Sequence, residues 1–132
     1  MLIMDLSKLF IFHAIVTLAA GIVLVIAPPL IPETVSIKIT PNEYLICYFL
    51  GAAEFAISYL SFFSRKIKDP KVLQLVSSTF IVFHLTTGML ELYAFTQGIS
   101  IKILGNIVIR IIVSFLFAYY GIYKTASRNN TH

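Results

Sequence analysis

The chain has 132 residues, of which 58% are hydrophobic and only 12% charged, with a formal net charge of +4. An ordinary soluble domain carries about 25% charged residues. Half that fraction, long unbroken apolar runs and a mean hydropathy of +0.90 exclude such a domain and make lipid the main solvent. The positive charge lies in short segments flanking the apolar runs, where membrane topology accounts for it, so nucleic acid is excluded as a partner. The single cysteine, Cys47, cannot form an internal disulfide.

A membrane-spanning helix needs about 20 predominantly apolar residues to cross roughly 30 Å of hydrocarbon. Four such runs fit, at about 6–27, 42–64, 71–95 and 101–123. The fold class is therefore all-α, a four-transmembrane-helix bundle, with residues 1–132 forming one integral membrane domain. The first run ends at Pro28-Pro29, which removes backbone donors and stops a helix. It is longer than a signal-peptide core of about 7–15 residues and lacks a small-residue cleavage site, so it reads as a retained span. Residues 29–40 form the one long connection. There Val35, Ile37 and Ile39 alternate with Ser36, Lys38 and Thr40, a period-two pattern expected of a short strand or an extended stretch on the outer interface. It would serve as a lid over a cavity mouth or, by preference, rest its apolar residues on helix ends.

The second span opens with Thr40-Pro41-Asn42-Glu43, where Thr40 caps, Pro41 suits the first helical position and Glu43 completes a capping box. Asp69-Pro70 opens the third span in the same way without the box, and Gly98 closes it. Ser100 caps the fourth. One end of the bundle then holds Lys8, Arg65, Lys66, Lys68, Lys71, Lys124 and Arg128, the other only Lys38 and Lys102. Seven against two places the first end, with both termini, in the cytoplasm, and the plasma membrane is the expected location.

Residues three, four or seven apart share a helix face. Each span carries one polar or small seam on this spacing. The first has His13, Thr17 and Gly21. The second has Cys47, Gly51, Glu54, Ser58 and Ser61. The third has Ser77, His84, Gly88 and Glu91, with Thr87 beside them, and the fourth has Asn106, Arg110 and Ser114. The remaining faces are mostly Ile, Leu, Val and Phe, so the seams should meet inside. Small pairs such as Thr17 with Gly21 or Ser114 with Ala118 let backbones approach closely. Charge at mid-membrane costs several kcal/mol and usually marks function.

Counted from the cytoplasmic ends at 1.5 Å per residue, Glu54, His84 and Arg110 lie at about 15–20 Å. Glu54 and Arg110 are natural partners at this depth, with Glu91 the competitor about two turns further out. His84 is expected between them, bonded to a carboxylate. His13 would be shallow enough to reach the interface, at roughly 10 Å. Asn106, Ser58, Ser77, Ser114 and Thr87 read as interhelical hydrogen-bond groups. Most tyrosines cluster near span ends as an interfacial belt, while Tyr59 lies deeper and is expected to face the interior.

There is no paired-cysteine motif, HExxH, phosphate loop or nucleophile elbow. No metal, cofactor or catalytic residue is assigned. The run Leu50-Gly51-Ala52-Ala53-Glu54, followed by small and apolar residues to Ser64-Arg65 and a basic turn, resembles the DoxX-like superfamily of small four-helix membrane proteins. The likeness covers the region from Tyr44 to Glu91. It implies a four-helix bundle, and some members are linked to quinone-coupled redox chemistry while others assist assembly of membrane proteins. Glu54 alone carries over.

The sequence leads to a membrane bundle with a buried polar centre of Glu54, His84, Arg110, Glu91, Asn106 and His13. The leading expectation is that this centre binds a small, partly apolar molecule such as a quinone or lipid-like metabolite. A non-enzymatic accessory or assembly subunit is the second reading, with a filled interior and a paired Glu54–Arg110 bridge. An oligomeric channel or proton path is the third. Expected partners are membrane lipid, a small lipophilic ligand, and a membrane-protein partner or further copies of the chain.

Overall fold

A computed structural model describes residues 5–129. Asp5 opens the first helix, its carboxylate accepting from the backbone N–H of Lys8 at 2.8 Å and so satisfying one of the free amides of the first turn. Helix α1 spans Leu6–Ile26 and stops just before the two prolines. The chain then forms a five-residue helix, α2 (Leu30–Thr34), two turn residues and an irregular stretch over 37–40. No strand occurs among the described residues, which corrects the strand reading of this connection, and residues 30–34 are helical instead. A lone strand has no neighbour to take its N–H and C=O groups, and the sequence offers none. The alternation survives as burial: Val35, Ile37 and Ile39 are half-buried while Ser36, Lys38 and Thr40 are exposed.

The capping box forms as expected. Thr40 N–H donates to Glu43 Oε2 at 2.6 Å, and a single tight turn (Pro41–Glu43) leads into α3, Tyr44–Ser64. Asp69 accepts from Lys71 N–H at 2.8 Å and starts α4, Pro70–Thr96. Gly98, at φ 100°, turns the chain out of α4 with its N–H on the Phe95 carbonyl. Helix α5 (Ile103–Phe117) passes through a π-helical segment (Ala118–Tyr123) into α6 (Lys124–Asn129), so the fourth helix runs past residue 123.

Among the described residues, four helices are long and apolar enough to cross a membrane: Leu6–Ile26, Pro41–Ser64, Pro70–Thr96 and Ile103–Ser127. Their outer faces carry exposed Phe12, Ile46, Phe49 and Phe115, which water would not tolerate in such density. The protein is an integral membrane bundle. Helix α1 lies along α3, and α4 along α5. The first pair closes on Gly21 and Gly51, where a Cβ on either would meet the other's carbonyl oxygen at 3.1–3.2 Å. The two pairs are joined by Leu9, Phe10, Val76, Phe80 and Phe117, with Phe80 and Phe117 ring centroids 5.1 Å apart. This plug fills the half of the bundle nearer the termini. Tyr59, expected to face inward, is 68% exposed and lies against Phe63 on the outer surface.

Candidate functional site

The seams converge. His13, Thr17, Gly21, Cys47, Gly51, Glu54, Ser58, Ser61, Ser77, His84, Gly88 and Ser114 are all buried, and Glu91 and Arg110 are half-buried. Only Asn106 lies at an exposed position. Of the hydroxyls expected to bond between helices, Ser58 does so, Thr87 and Ser114 do not, and Ser77 Oγ has no partner among the described residues. Ser58 donates to the Ala14 carbonyl on α1 at 2.7 Å, while Thr87 and Ser114 bond within their own helices.

The histidines pair with each other rather than with a carboxylate. His13 Nε2 and His84 Nε2 are 2.9 Å apart, and His13 Nδ1 is 3.0 Å from Ser61 Oγ. This corrects two expectations: His13 does not reach the interface, being 4% exposed, and the partner of His84 is His13. Helix α4 is 27 residues long, about 40 Å, and exceeds the hydrocarbon thickness, so counting from its start misjudges depth. The proton order follows from the bonds. Ser61 Oγ donates to the Phe10 carbonyl at 3.0 Å, so it accepts from His13 Nδ1–H. With one proton per ring, His13 Nε2 accepts from His84 Nε2–H. That leaves His84 Nδ1 as an acceptor, and this buried atom has no partner among the described residues.

The second cluster also differs from the expected pairing. Arg110 Nε donates to Glu91 Oε1 at 2.9 Å, and Asn106 Nδ2 donates to the same oxygen at 2.7 Å. The competing partner wins. Counted from the loop-side ends, Glu91 lies about 8 Å below Thr96 and Arg110 about 10 Å below Ile103, which puts them level. Gly88, one turn from Glu91, leaves room for the Arg110 side chain, whose Cβ and Cδ would each lie 3.8 Å from a Cβ placed there. Glu91 Oε2 is buried without a partner, and no bond to the Arg110 Nη atoms is formed among the described residues. Glu54, 8% exposed, makes no ion pair among the described residues.

Two hollows meet at Arg110. One, about 400 Å³, lies between α1 and α5, with His13, His84, Glu54, Asn106 and Arg110 among Leu9, Phe12, Val16, Ile109, Val113 and Leu116. The other, about 560 Å³, lies at the loop end and combines Ile31, Ile37 and Ile39 of the long connection with Glu91, Lys102, Asn106 and Arg110. Arg110 and Asn106 line both. The apolar residues of the connection thus line this hollow. Ser61 was legible as a seam residue but not as the group that orients His13; its position seven residues after Glu54 was the only signal. No protein family, curated protein or solved structure matches this chain.

Proposed function

We propose that this bundle binds a small, partly apolar molecule around Arg110, of the quinone or lipid-like class. The observation that carries the reading is that Arg110 lines two adjoining hollows while committing only Nε to a bond among the described residues. A guanidinium held at membrane depth with its fork unused is expensive unless something polar meets it. In this reading Arg110 holds the polar head, and Glu91 and Asn106 fix Arg110. Glu54 and His84 orient the ligand, with His13 and Ser61 setting which His84 nitrogen is free. Glu54, the residue on which the DoxX-like resemblance rests, lines the inner hollow, which supports keeping quinones in the class.

An accessory subunit acting only through its outer faces would need neither hollow and would favour a closed Glu54–Arg110 bridge. The Arg110–Glu91 pairing and the space beside it favour the ligand reading. Native mass spectrometry of the detergent-purified protein tests it. Decylubiquinone and neutral single-chain lipids are titrated onto the wild type and Arg110→Ala, with circular dichroism confirming the fold. Binding of at least one probe that Arg110→Ala weakens about tenfold or more is expected. Equal binding to both proteins, or none to either, refutes the reading.

A further inference from the structure

The unmatched polar atoms around Arg110 specify the head group. On the donor side stand the Arg110 Nη groups. On the acceptor side stand Glu91 Oε2 and His84 Nδ1, both buried and unpartnered, and the Glu54 carboxyl. Charge is already balanced at Arg110, because Glu91 is ion-paired to it. The other cation at the hollows, Lys102, sits exposed at the outer rim. An anionic head would therefore meet the Glu91 carboxylate and no spare buried cation among the described residues. A head without donors would satisfy Arg110 and leave every acceptor bare, and each bare buried acceptor costs binding.

The apolar side specifies the rest. The inner hollow is a groove between α1 and α5 whose walls include Phe12, Val16 and Ile109, all exposed on the outer face of the bundle. It is thus reached sideways from the bilayer. From Asn106 to Leu116 it follows α5 for about 15 Å. That is room for one extended chain; the separate hollow between α1 and α3, about 520 Å³ and lined by Ala14, Leu18, Phe55 and Tyr59 among others, shares no lining residue with it and holds none of these polar atoms.

Resting on the proposed function, we infer that the ligand is an uncharged single-chain lipid with a hydroxyl-bearing head, of the monoacylglycerol kind. The head hydroxyls accept from Arg110 and donate to Glu91 Oε2 and to the acceptors of the inner hollow. The chain lies in the α1–α5 groove.

The test compares 1-monoolein, oleate, methyl oleate and decylubiquinone on the full-length protein by native mass spectrometry. Monoolein is expected to bind about tenfold more tightly than each of the others, because they lack the donors or add a charge. Glu91→Gln, which turns the free acceptor into a donor, should cut that preference to about threefold or less by weakening monoolein more than methyl oleate. Thermal melts show whether the variant folds, and Arg110→Lys serves as a second variant. If oleate, methyl oleate or decylubiquinone binds as tightly as monoolein, the hydroxyl-head inference is overturned while ligand binding stands. If none of the four binds, both fall.

Discussion

The cost of the polar centre is set by single side chains. Arg110 and Glu91 are half-buried in a bundle surrounded by hydrocarbon, so removing one partner leaves the other without compensation. Glu91→Ala should lower stability by about 2–4 kcal/mol, while the double change Glu91→Leu with Arg110→Leu should recover most of that loss. Unfolding in mixed micelles measures both; a double variant no better than the single would show that the pair contributes more than mutual neutralisation. Ser61→Ala is a milder change. It removes the acceptor for His13 Nδ1–H, yet hydrogen bonds in membrane bundles average only about 0.6 kcal/mol because the unfolded chain finds partners too. Its expected stability loss is therefore about 1 kcal/mol or less. The sharper consequence is on the histidine pair: nitrogen-15 spectra of the imidazoles should show a mixture of tautomers in place of the wild-type arrangement. A single unchanged tautomer in Ser61→Ala would mean that the serine does not set the proton order.

At the scale of helices, close packing decides between glycines that look alike in sequence. Gly51 faces Val25 and the Gly21 carbonyl, so a methyl group there forces α1 and α3 apart, whereas Gly105 has open space around its missing side chain. Gly51→Ala should cost about 1–3 kcal/mol. Gly105→Ala should be neutral or stabilising by up to about 1 kcal/mol, because alanine is the better helix former. Melting temperatures of the two variants should move in opposite directions or differ clearly; equal shifts would remove the close contact as an explanation. The same contrast explains what the sequence disclosed. Helix number, most caps and inward faces were legible because spacing and end chemistry are local: Thr40, Asp69 and Gly98 act as their positions predict, and nearly all seam residues are buried. Among the caps the exception is Ser100, since the fourth helix starts at Ile103 with Lys102 at its N-cap. Partner choice was not legible, because it depends on which helices adjoin and how they shift along one another. Glu91 was placed too far from Arg110 by counting from the cytoplasmic ends, where α4 overhangs and the fourth helix continues through its π-helical segment. His13 and His84 were missed as a pair for the same reason. Tyr59 shows the limit of depth alone, since its depth was read as interior but its rotation about α3 sends it to lipid.

For the whole molecule, the two ends of the bundle differ in charge and in chemistry, and the difference gives the proposed ligand a direction. Asp5, Lys68 and Lys124 gather around one cleft at the terminal end, behind the aromatic plug. The hollows open at the other end, under the 29–40 connection, and sideways between α1 and α5. Basic residues near span ends favour the cytoplasm, so the connection should face outward and the polar head should enter from the outer leaflet. Cysteine labelling tests this directly, in a Cys47→Ser background. Cys47 is buried with its thiol on the Pro28 carbonyl, so replacing it with serine keeps a donor there. In intact cells a membrane-impermeant maleimide should label Lys38→Cys, in the connection, and leave Lys68→Cys, between α3 and α4, unlabelled until the membrane is opened. The reverse pattern would put the hollows on the cytoplasmic side, and the ligand would then be drawn from the inner leaflet. Labelling of both sites before permeabilisation would break the two-sided arrangement that makes the aromatic plug a floor to the cavity.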